Sequence, residues 1–119
     1  MASTKTIMTP ADLMHLQTNA KNSIIIIKFG AEWCNPCKLI KPTCDEWLKS
    51  CPPNIIYADI DIDESIELYM AFKSKKMIKG VPTILAFNTS KAREHWYIPD
   101  DSVIGGDINA VNAFFQRHF

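Results

Sequence analysis

Four consecutive isoleucines, Ile24 to Ile27, run on through Lys28 and Phe29 and lead almost at once into Trp33-Cys34-Asn35-Pro36-Cys37-Lys38. An apolar run that does not alternate marks a strand buried on both faces, here over residues 23–29. The stretch that follows reads as a helix from about Cys34 to Ser50, stopped by Pro52-Pro53. Two cysteines separated by two residues at such a strand-to-helix junction form a redox-active dithiol. The first turn of a helix leaves backbone N–H groups unsatisfied, and together with the helix dipole they favour a thiolate over a thiol. The thiolate is the species that attacks disulfides.

The rest of the chain alternates in the same style. Thr4 to Met8 reads as a short edge strand. Thr9-Pro10-Ala11-Asp12 is a helix start with Thr9 as N-cap, and Leu13, Leu16 and Ala20 form its apolar stripe. Ile55 to Ile60 is the next strand, and Asp61 and Asp63 lead into a helix carrying Ile66, Tyr69 and Met70. Thr83 to Phe87 is a strand, with a second one near Glu94 to Tyr97 pairing back on it across Asn88-Thr89-Ser90-Lys91. Gly105-Gly106-Asp107 breaks and caps before a last helix presenting Ile108, Val111, Phe114 and Phe115. Strand and helix alternation in the first half implies parallel strands, and the later pair implies a hairpin. The expected fold class is therefore α/β, a mixed sheet with helices on both faces. No repeat or linker divides the chain, so residues 1–119 are expected to form one domain.

Composition limits the function classes. Lys plus Arg and Asp plus Glu both number 13, a balance that argues against nucleic acid or an anionic membrane as partner. No apolar stretch approaches the roughly 20 residues that span a bilayer. The N-terminus shows no apolar core of a secretory signal, so the expected location is cytoplasmic. In a reducing compartment, paired cysteines serve catalysis or metal binding more often than stapling. Zinc held by Cys34, Cys37, Cys44 and Cys51 is the rival reading. Those four lie along one expected helix, and ligands strung over several turns do not converge on one ion. No metal site is expected. Cys37, Cys44 and Cys51 recur every seven residues beside Ile40, Trp47 and Leu48, which makes Cys44 and Cys51 core residues. A regulatory thiol at Cys51 is the lesser reading. His15, His95 and His118 are scattered on expected surfaces and suggest neither ligand nor base.

With these residues in place, the chain resembles the thioredoxin family along nearly its whole length. Phe29 to Lys38 is similar to the family's active-site segment, and Pro42 to the proline that kinks the active-site helix. Gly80-Val81-Pro82-Thr83 resembles the segment whose proline follows a cis peptide and packs beside the dithiol. Gly105 or Gly106 resembles the glycine that completes the substrate groove. The resemblance implies a thiol–disulfide oxidoreductase that reduces protein disulfides, with Cys34 attacking and Cys37 resolving. Trp33, Asn35, Pro36, Val81, Pro82 and Gly105 would form the groove. No bound cofactor is implied beyond the Cys34–Cys37 disulfide itself, and an NADPH-dependent thioredoxin reductase would return the electrons. The alternatives are a disulfide oxidase or isomerase, and a binding scaffold, the last suggested by the long segment between Phe87 and Gly105.

Two positions depart from the family pattern. Asn35 stands where glycine is usual between the cysteines. Lys28 stands where a buried aspartate usually accepts a proton beneath the second cysteine, and Tyr57 reads as the residue facing it. Lys28 is therefore the proton-transfer candidate. Its plain alternative is a snorkelling lysine paired with Asp59 or Asp61.

Overall fold

The isoleucine run forms the central strand of the sheet. The computed structural model describes residues 4–119. In chain order these are α1 (Pro10–Asn19), β1 (Ile24–Gly30), α2 (Asn35–Leu48), β2 (Ile55–Asp61), α3 (Ile66–Ser74), β3 (Thr83–Asn88), β4 (Asp101–Ile104) and α4 (Ile108–His118). The strand order is β2-β1-β3-β4. β1 pairs parallel with β2 and antiparallel with β3, and β3 pairs antiparallel with β4. The mixed sheet expected from the alternation is thus present.

Side chains of β1 divide between two cores by strand parity. Ile25, Ile27 and Phe29 join Leu13 of α1 and Leu68, Tyr69 and Phe72 of α3 on one face. Ile26 joins Ile40 and Cys44 of α2 and Val111, Phe114 and Phe115 of α4 on the other. Ile25, Ile26 and Ile27 are fully buried, each stabilising the fold by about 1.5–3 kcal/mol. By the same parity Lys28 falls on the α2 side, where an apolar residue would be expected.

Helix ends follow the sequence signals. Thr9 and Asp12 form a reciprocal capping box, with Pro10 in the first turn of α1. Asp107 caps α4 by accepting from the Asn109 and Ala110 N–H groups. Pro42 lies inside α2.

Several expectations change. The strand near Glu94–Tyr97 is not formed; β3 pairs instead with Asp101–Ile104, from Thr83↔Ile104 to Ala86↔Asp101. Trp96 and Tyr97 are drawn to the core instead: the Trp96 ring lies 5.4 Å from that of Phe72, and the Trp96 carbonyl accepts from Gln17 Nε2. Thr4–Met8 contributes only a bridge, Lys5↔Ala58. On α3, Ile66 and Met70 face outward while Leu68 and Phe72 carry the packing with Tyr69. Ile108 is also exposed, at the very start of α4. Ala20 and Cys51 lie just beyond the ends of α1 and α2. His118 is half-buried and bonded to Asp101, so it is no free surface histidine. Finally, the β1–β2 register sets Lys28 opposite Asp59, while Tyr57 sits opposite Ile26.

Candidate active site

The dithiol is built from the end of β1 and the start of α2. Cys34 is the N-cap of α2, and its Sγ accepts from the Cys37 N–H at 3.2 Å. Asn35 and Pro36 occupy the first turn, where proline's fixed φ suits the helix and its missing N–H goes unmissed. The Cys34 and Cys37 sulfurs are joined in a disulfide, with Cα atoms 5.3 Å apart. Cys34 is expected to be the more exposed of the two, but in this oxidised state they are alike, at 5% and 7%.

The second wall comes from the turn before β3. The Val81–Pro82 peptide is cis, as the sequence match anticipates, and the Val81 carbonyl oxygen lies 3.8 Å from Cys34 Sγ. The turn is fixed from two sides. Thr83 Oγ1 donates to the Gly80 carbonyl at 2.7 Å, and the Gly105 N–H donates to the Pro82 carbonyl at 2.9 Å. Gly105 has φ +93°, a conformation that disfavours side chains. Gly106 is needed for a different reason. A Cβ there would stand 3.2 Å from the Pro36 Cβ, so its absence lets the segment between β4 and α4 close against the active-site turn. Trp33 is 65% exposed beside Cys34 in sequence, and its indole N–H donates to Asp63 Oδ2 at 3.1 Å.

Beneath Cys37, between α2 and the β1–β2 pair, lies a cavity of about 650 Å³. Lys28, Asp59 and Cys37 all line it. Lys28 is only 5% exposed, and its Nζ is 3.8 Å from Asp59 Oδ2. Of the two partners that the sequence offers to Lys28, Asp59 and Asp61, the structure selects Asp59, while Tyr57, read as the facing residue, lies two positions away. The signal was present in the length of the two strands, which pair residue for residue from Ile24↔Ile55 onward. Two turns further along α2 than Cys37, burial pushes the Cys44 thiol up to about 11, so it stays protonated and inert. The Tyr57 hydroxyl, raised well above its ordinary value by burial, is likewise neutral.

A cystine at a helix N-terminus facing a cis-proline turn is a specific combination, and the thioredoxin family model matches residues 7–102. The chain belongs to the thioredoxin family. It is 33% identical over 84 residues to a thioredoxin of the sponge Geodia cydonium, covering 71% of this chain and 74% of that one. It is 32% identical over 69 residues to a thioredoxin of Buchnera aphidicola, covering 58% of this chain and 60% of that protein. The structure of Fasciola hepatica thioredoxin shares the fold, with a TM-score of 0.71 at 24% identity, covering 96% of this chain and 99% of that one. As a thioredoxin-family protein with a cystine at Cys34–Cys37, it is a thiol–disulfide oxidoreductase. Thioredoxins work without a prosthetic group, act on disulfides and are recycled by thioredoxin reductase.

Proposed function

We propose that this protein reduces disulfides in protein substrates, with Cys34 as nucleophile and Cys37 as resolving thiol. The observation that carries the reading is the cystine capping α2 directly beside the Val81–Pro82 turn. In the reduced protein the Cys34 sulfur keeps its place at the helix start. There the Cys37 N–H and the helix dipole stabilise its thiolate. That thiolate attacks one substrate sulfur, forming a mixed disulfide and expelling the other substrate sulfur as a thiolate. Cys37 then loses its proton and attacks Cys34 Sγ. The Cys34–Cys37 bond forms, the second substrate thiolate leaves, and two electrons have passed to the substrate.

The substrate is held by backbone as much as by side chain. No backbone hydrogen bond engages the Val81 N–H among the described residues. An extended substrate segment fits there as an added strand, with Trp33 and Pro36 as its apolar flanks. Restoring the dithiol takes two electrons from outside, which we assign to an NADPH-dependent thioredoxin reductase. Disulfide reduction belongs in a reducing compartment, and the proposal places the protein in the cytoplasm.

The test couples insulin reduction with measurement of the redox potential. Reduction should depend on Cys34, be abolished in Cys34→Ser, and stall as a mixed disulfide in Cys37→Ser. A potential near roughly −270 mV agrees with a reductase, whereas one near −120 to −180 mV would reassign the protein to disulfide formation or isomerisation. Non-covalent partners alone on a Cys37→Ser trap would make it a scaffold.

A further inference from the structure

Resolution of a mixed disulfide asks Cys37 to give up a proton from a site that is only 7% exposed. The proton must go somewhere near, and the cavity beneath Cys37 offers a Lys28–Asp59 ion pair. An ammonium carries three hydrogens and no lone pair, while an ionised carboxylate only accepts. Within the pair, Asp59 alone has room for another proton. Its side chain is 41% exposed against 6% for that of Lys28, so it also has a route to bulk water. The cavity opens to solvent and carries the Lys28 and Asp59 charges on its wall, so water reaches the space between the thiol and the carboxylate.

We propose that Asp59 is the proton acceptor for Cys37, working through cavity water, with Lys28 as the positioning residue that holds its carboxylate on the cavity side. The Cys37 S–H proton passes to water as that water gives one to Asp59. The Cys37 sulfur attacks Cys34 Sγ, and the bond from Cys34 to the substrate sulfur breaks. The departing sulfur keeps the electron pair and takes a proton from solvent, and Asp59 returns its own to solvent.

The other charged groups around the cavity do not match this role. Lys38 and Lys41 of α2 are cations, and Lys41 is occupied by Asp45 at 2.7 Å. The Asp61 carboxylate accepts from the Asp63 N–H at 2.8 Å. Glu32 and Glu64 are exposed residues without a buried cation to fix them. Cys44 is held protonated by burial. Asp59 is the carboxylate tied to a buried cation and shared between cavity and solvent.

The proposal rests on the dithiol chemistry above but not on its physiological direction, so the test uses a synthetic substrate. Reduced protein is mixed with a chromogenic nitrobenzoate disulfide. The first thiol released reports attack by Cys34, and the second reports resolution by Cys37. Asp59→Asn should leave the first release unchanged and slow the second on the order of a hundredfold at neutral pH, the low end for a positioned acid–base group. The lost rate should return at high pH, where Cys37 ionises unaided. Lys28→Met/Asp59→Asn, which leaves no orphaned buried charge, should show the same displaced pH profile. Glu64→Gln removes a carboxylate from the same cavity and should follow the wild type. An Asp59→Asn profile superimposed on that of the wild type, or an equal displacement in Glu64→Gln, would overturn the assignment. A wild-type protein that releases only one thiol would overturn the dithiol reading itself.

Discussion

Two adjacent glycines close the site, and the structure sets them apart by the kind of penalty a methyl group would incur. At Gly106 an added Cβ would meet Pro36 Cβ at 3.2 Å, Pro36 Cα at 3.5 Å and the Pro36 carbonyl oxygen at 3.6 Å. Pro36 sits in the first turn of α2 with its ring fixed, so it cannot step aside without moving the N-terminus of the helix. Overpacking of this kind costs about 1–3 kcal/mol. At Gly105 an added Cβ would meet nothing within 4 Å, but φ is +93°. The penalty there is purely conformational, about 1–3 kcal/mol for a residue held in a sparsely populated region. Gly105→Ala and Gly106→Ala should therefore lose similar stability, roughly 4 °C of melting temperature per kcal/mol for a chain of this size. They should differ in chemistry. Gly106→Ala displaces the turn that carries Cys34 and Cys37, so it should slow insulin reduction beyond its effect on the folded fraction. Gly105→Ala should lose rate only through its contact with Pro82. Thermal unfolding of the oxidised proteins and initial rates well below the melting point measure both. Equal rates per folded molecule in Gly106→Ala and wild type would refute the steric reasoning.

Three further outcomes follow from the packing and charge described above. Phe115→Ala should destabilise by about 3–5 kcal/mol in denaturant unfolding, because a fully buried ring stacked on Trp47 leaves a cavity between α2 and α4. Burial opposes ionisation of Asp101, but hydrogen bonds from Arg117, His118 and the Ser102 N–H outweigh it and hold the carboxyl below its ordinary value. A depressed carboxyl stabilises the fold above its unfolded value and loses that contribution as pH falls through the folded one. Wild-type stability should thus decline below about pH 4, and Asp101→Asn should be less stable at neutral pH while lacking that part of the decline. Iodoacetamide at mildly alkaline pH should label Cys34 of the reduced native protein and spare Cys44 until denaturant is added, as read by mass spectrometry; prompt native labelling of Cys44 would contradict its burial.

Much of this molecule was legible because its signals are local. The isoleucine run, the Thr9 cap and the cysteine spacing each depend on neighbours in sequence, and each stands where it was read. The hairpin was misplaced because Trp96 and Tyr97 satisfy strand propensity equally well as core residues over Phe72, and only tertiary contact decides. The outward faces of Ile66 and Met70 went unread for a similar reason: α3 is apolar on more than one side, and the packing partner selects the face. Asp59 was legible only as one of two partners for Lys28, and Tyr57 was read as facing it, because cross-strand register is a long-range property. Sliding β2 by two residues brings Tyr57 opposite Lys28, a change that parity cannot detect, since it keeps every side chain on its own face.

The sheet's margins bear on how its edges are kept from pairing with other sheets. β4 offers only four residues along its free side, and beyond it Gly105 turns the chain away. On the opposite side, Lys5 donates to the Tyr57 carbonyl and accepts from the Asp59 N–H, occupying the middle of β2. Stray association between sheets needs a long unoccupied border, and neither margin supplies one. The Val81 N–H, unengaged among the described residues, lies outside both, in a bend next to a reactive sulfur. Under the proposed function, an extended chain that paired there would meet that sulfur directly.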